Sequence, residues 1–126
     1  MIINITEKML RKFDVLDKNW YAFEVVEIDD KTNKNGKLEL RVTAKVLEGE
    51  CAGAEVMMFF YPNDYSGPFV ELAGAVENTE ITAGMGINPY QWVGKQFWSE
   101  AKEEIYDGKR RNKFEEFLAI GNPPAF

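Results

Sequence analysis

"KQFWSEAKEEIYDGKRRNKFEEFLAI", residues 95 to 120, decides the fold. By composition it passes for one long helix, being rich in Glu and Lys. Two features oppose that reading. Asp107-Gly108 stands in the middle, where glycine costs a helix about 1 kcal/mol relative to alanine. Before that pair, Phe97, Ser99, Ala101 and Ile105 alternate with Trp98, Glu100, Lys102, Glu104 and Tyr106; beyond it, Phe114, Leu118 and Ile120 share a parity. A period of two is the mark of strands. The stretch is therefore expected to be a hairpin with Asp107-Gly108 near its tip.

Working outward, "TEKMLRKFDVL" (6–16) sets Met9, Leu10, Phe13 and Leu16 at helical spacing with Thr6 as N-cap, which predicts a short helix. "WYAFEVVEID" (20–29) is β-rich in composition and runs into "DKTNKNGK" (30–37), a polar loop with an Asn-Gly turn signal. "KLELRVTAKVL" (37–47) alternates: Leu38, Leu40, Val42, Ala44 and Val46 face one way, Lys37, Glu39, Arg41, Thr43 and Lys45 the other. "EGECAG" turns the chain into a third strand, "AEVMMFFY" (54–61). In "SGPFVELAGAVEN" (66–78) the period changes, with Phe69, Leu72, Ala73 and Val76 at i, i+3, i+4 and i+7 behind Pro68, so a helix is expected. "TAGMGINPYQWVG" (82–94) reads as a loop.

Three strands, a helix and two strands make a mainly β chain in the order β-β-β-α-β-β. That is the order of a five-stranded OB-fold-like barrel, which binds oligonucleotides or oligosaccharides. A single domain is expected over 1–126, with an N-terminal helical segment (1–18), the barrel (19–121) and a tail (122–126) ending in Phe126.

Composition narrows the chemistry. The 126 residues are 45% hydrophobic and 13% aromatic, as suits a globular chain with a core of its own. No apolar run approaches the ~20 residues of a membrane span, and the start lacks the order of a signal peptide. One cysteine, Cys51, excludes an internal disulfide and fits a reducing cytoplasm. With no histidine, the usual zinc and copper ligand sets and histidine acid–base catalysis are missing. No cofactor and no catalysis are expected. "SEAK" (Glu100, Lys102) with Asp64 mimics the acid…Glu-x-Lys site of metal-dependent nucleases, but that pattern is common by chance.

The charge is uneven. From Tyr106 to Lys113 one acid stands against Lys109, Arg110, Arg111 and Lys113, a net of +3 in a chain of net charge −6, which leaves −9 for the rest. In an OB-fold the ligand lies over strands 2 and 3, between the loops joining strands 1–2 and 4–5. The first loop carries Lys31, Lys34 and Lys37, the second the basic run, and strand 2 points Arg41 and Lys45 outward. Single strands also need rings for base stacking, worth roughly 1–3 kcal/mol per base. Trp20, Phe59, Tyr61, Trp98 and Tyr106 are the candidates. Taken singly, each ring fits a core as well as a platform. Lys31, Lys34 and Lys37 alternate with Asp and Asn residues, so a solvated turn explains them equally well. "KRRNK" has no acid within it and points more firmly to an anion.

The turns carry a resemblance. Tyr21, Asn35-Gly36-Lys37-Leu38, Gly53 to Val56, Gly94-Lys95 and Tyr106-Asp107-Gly108-Lys109 with Asn112 stand as in the phage-encoded single-stranded-DNA-binding proteins of the OB-fold type, which the chain resembles over roughly residues 19–121. The resemblance implies a non-catalytic protein of the host cytoplasm that binds single-stranded DNA in phage replication or recombination, beside replication or recombination proteins. An exposed strand edge or the N-terminal helix offers a route to a homodimer. The reading from another class is a small phage protein-interaction module that binds or inhibits a host protein, which the net negative charge favours.

Overall fold

The computed structural model describes every residue except Arg11, Asp64 and Phe126, with Lys8 described by its backbone alone. One helical turn, α1 (Glu7–Leu10), precedes the strands β1 (Asn19–Thr32), β2 (Leu38–Val46) and β3 (Glu55–Phe60). The helix α2 (Gly67–Glu77) and a 3-10 turn (Pro89–Trp92) follow, then β4 (Gln96–Tyr106), β5 (Lys109–Lys113) and β6 (Phe117–Ala119). The chain is mainly β: an open antiparallel sheet in the order β3-β2-β1-β4-β5, with β6 also paired to β4.

β1 organises the sheet because it serves two partners. Its first half, 19–24, pairs with β4; residues from Phe23 onward pair with β2. A bulge between Val25 and Glu27 adds one residue and bends the strand. It also explains the apolar run "FEVV": Phe23 and Val25 face the core, and after the extra residue Ile28 does. On β3 the parity is clean, with Val56, Met58 and Phe60 buried and Met57 and Phe59 outward.

The core is aromatic at its centre. Phe23 and Phe97 stack with centroids 5.6 Å apart, and Phe114 meets Phe23 edge-on at 5.8 Å. α2 turns Leu72, Ala73 and Val76 inward as its spacing predicts, with Phe69 half-buried beside the fully buried Trp92. Pro68 sits in the first turn, where no amide is needed, and Asn78 ends the helix in the left-handed region.

The deciding stretch is a hairpin. β4 pairs with β5 from Lys102↔Lys113 to Tyr106↔Lys109, and Asp107 and Gly108 both take positive φ (51° and 75°), as a tight two-residue turn requires. Its far arm departs from the expectation of one continuous strand. Phe114, Glu115 and Glu116 interrupt it, so that β5 and β6 form successively along one edge of β4, giving six strands among the described residues rather than five. The parity shifts across the break, and Phe117 rather than Leu118 enters the core.

The N-terminal segment also differs. Among its described residues only Glu7–Leu10 is helical, with Met9 and Leu10 exposed. Residues 12–17 lie outside any helix and run from β3 to β5. The Asp14 amide donates to Glu55 O (2.8 Å) and the Glu55 amide to Asp14 Oδ2 (3.2 Å). The Leu16 amide donates to Asn112 Oδ1 (2.7 Å), while Asn112 Nδ2 donates to Leu16 O (2.8 Å). Leu16 itself is buried in the core. A helix through Leu16 would satisfy its own backbone but leave the facing edges of β3 and β5 without these partners.

Candidate nucleic-acid interface

A groove of about 560 Å³ runs between β3 and β5. One wall is the outer side of β3 with Met57, Phe59 and Tyr61; the other is Arg111, Lys113 and Phe114; Phe13 and Asp14 lie across it. Four residues expected at a ligand site, Phe59, Tyr61, Arg111 and Lys113, are thus brought together by two elements about fifty positions apart. Both rings are about half exposed, Phe59 at 50% and Tyr61 at 49%. β3 alternation turns Phe59 outward, and the Arg41 guanidinium, opposite it on β2, lies 5.9 Å above its ring. The Tyr61 hydroxyl donates to Glu39, and Glu39 also grips Arg41 at 2.8 Å. Burial, then the Glu39 charge, pushes the Tyr61 phenol up.

The basic run is not free of acids once folded. Pairing with β4 sets Glu103 and Glu104 opposite Asn112 and Arg111. Arg111 meets Glu104 at 2.5 Å and lies 4.0 Å above the Tyr106 ring. Arg110 is held by Glu103 (2.5 Å) and Asp17 (2.8 Å), and Lys113 by Glu115 (3.0 Å). These pairs hold the Arg110 and Lys113 heads charged by raising their pKa values, the hydrogen bonds to Glu103 and Glu115 being the largest causes. Lys113 in turn lowers the Glu115 carboxyl. All are solvent-facing pairs, weakened by water and salt, so a phosphate can exchange with the carboxylate.

The remaining expected residues lie elsewhere. Trp20 and Trp98 lie on the outer face of β1 and β4, the face that Glu24 and Lys45 share, but outside the groove lining; there Trp98 Nε1 donates to Ile120 O (3.1 Å). Lys45 pairs with Glu24 at 3.9 Å. Lys31, Lys34 and Lys37 ride the β1–β2 hairpin, whose turn is fixed by Asn33 accepting from the amides of Asn35 and Lys37 (both 2.9 Å). These three and Lys109 form no ion pair among the described residues. Across the outer face of β1, β2 and β3, the acids Glu24, Glu27, Asp29, Glu39 and Glu55 outnumber Lys31, Arg41 and Lys45. Glu100 and Lys102 are a surface pair at 3.9 Å, and Asp64 and Phe126 lie outside the described residues.

Sequence reasoning missed Phe13 and Phe114 as groove residues, and Asn112 as the side chain that ties β5 to the N-terminal segment. For Phe13 the helical spacing masked an irregular segment; for Asn112 a lone polar residue in a basic run gave no signal. Compared with protein-family models and with curated proteins, the chain matches none. Among the described residues no helix is long and apolar enough to cross a membrane.

Proposed function

We propose that the protein is a non-catalytic, OB-type single-stranded-DNA-binding protein, acting in phage replication or recombination, and that the β3–β5 groove holds the strand. The observation that carries this reading is the meeting of the half-exposed Phe59 and Tyr61 with Arg111 and Lys113 across one groove. Bases stack on the rings while the cations exchange their carboxylates for phosphates. Stacking on these rings is indifferent to sequence, and phosphate neutralisation makes affinity fall with salt. The strand order and the helix between β3 and β4 support the barrel assignment, with residues 14–16 bridging its two edge strands.

The three tryptophans report binding. Titration with oligo-dT and with duplex DNA of equal length, at low and moderate salt, is expected to show quenching by oligo-dT that weakens with salt. No response to oligo-dT at low salt overturns the proposal. The acid-rich outer face of β1–β3 favours a second reading, a small phage module that binds or inhibits a host protein. On that reading one host protein competes for the basic hairpin and single strands do not.

A further inference from the structure

A second hollow, of about 430 Å³, adjoins the first. The groove touches Tyr61 and Pro68, and the second hollow touches Pro62 and Phe69, so the same short segment is wall to both. That wall is anchored, since Ser66 Oγ donates to the Tyr61 carbonyl. Past it, Leu38, Met85, Ile87 and the Tyr90 ring make an open apolar hollow with one charged group, the exposed Asp30 carboxylate, which accepts from the Tyr90 hydroxyl. The arms of the β1–β2 hairpin border this hollow through Asp30 and Leu38, and the turn of that hairpin carries Lys34 and Lys37, which form no ion pair among the described residues.

The two hollows therefore lie on either side of one short segment, and a strand that follows the first meets the second. Arg111 and Lys113 line the first, and beyond the second the turn carries Lys34 and Lys37, with apolar and aromatic walls between. A carboxylate inside such a track repels phosphates, so it faces a base. Tyr90 occupies one oxygen of Asp30, and the other is left to accept. Cytosine, adenine and guanine each offer an exocyclic amino group, and a carboxylate accepting from cytosine N4 is a known mode of base reading. Thymine offers only an N–H between two carbonyl oxygens, which a carboxylate oxygen repels.

We propose that the hollow around Asp30 and Tyr90 is a base-reading subsite of the strand track, selecting an amino-bearing base over thymine. This rests on the single-strand reading above. The test is tryptophan quenching by oligo-dC and oligo-dT of equal length, matched pyrimidines, on the wild-type chain and on Asp30→Ala and Tyr90→Phe. The wild type is expected to bind oligo-dC at least fivefold more tightly, and Asp30→Ala to bring the two within twofold. Removing a negative charge raises both affinities together, so the ratio is the readout. Tyr90→Phe keeps the ring and frees the carboxylate oxygen, and is expected to retain the preference. Equal binding of both oligonucleotides by the wild type, or a preference that survives Asp30→Ala, overturns the subsite while leaving the groove reading intact. Binding of neither overturns both.

Discussion

Arg111 is the side chain on which the most chemistry converges, since it faces the groove, rests on Tyr106 and is paired with Glu104. Arg111→Glu is expected to weaken binding to single strands of any sequence and to reduce the slope of log affinity against log salt by about 0.7, one phosphate contact on a single strand. Titration at four salt concentrations reads both. Phe59 is its counterpart on the other wall. Because the ring is half exposed, Phe59→Ala is expected to leave the unfolding midpoint nearly unmoved while costing about 1–3 kcal/mol of binding per stacked base. A large loss of stability would place the ring in the core instead. Glu115 supplies a pH test. Its carboxyl is lowered chiefly by the hydrogen bond from Lys113, so its contribution is complete above the ordinary glutamate value of about 4.3 and is lost as pH falls through the lowered one. Glu115→Gln is therefore expected to narrow the stability difference between neutral and acid pH, read from urea midpoints.

Among the elements, the β4–β5 hairpin and the segment that crosses to it depend on each other. The Asn112 side chain gives and receives hydrogen bonds with Leu16 and donates to Lys102 O, so one residue of β5 holds three backbone groups. At about 1 kcal/mol net per bond, Asn112→Ala is expected to destabilise by about 1–3 kcal/mol and to loosen the groove wall that carries Arg111. Hydrogen exchange at the Leu16 amide locates the change. The hairpin itself was legible in "KQFWSEAKEEIYDGKRRNKFEEFLAI", because alternation and Asp107-Gly108 are local signals. The break at residues 114–116 was not, since it depends on how far β4 continues as a partner for the returning chain.

Over the whole molecule, Leu16 shows how much a distant segment contributes. It is almost fully buried, from a stretch with no regular structure. Leu16→Ala is expected to cost about 2–5 kcal/mol in a denaturant titration, as for other buried leucines. A loss well under that range would mean that the segment merely rests on the sheet.

Local sequence signals settle the first three strands and α2, the inward face of β2 and of α2, the hairpin about Asp107-Gly108, and the acidic body with a basic tip. Each depends on periodicity or turn chemistry within a dozen residues, where neighbours in sequence are neighbours in space. Only the tertiary structure decided which side chains share a groove and which charges are matched. "KRRNK" has no acid in its own run, yet cross-strand pairing supplies Glu103 and Glu104, and Glu115 follows two residues on. Phe59 and Arg111, on strands about fifty residues apart, become opposite walls because β3 and β5 are the two edges that residues 14–16 bridge. Long-range pairing carries no period along the chain, so that information exists only once the sheet has formed.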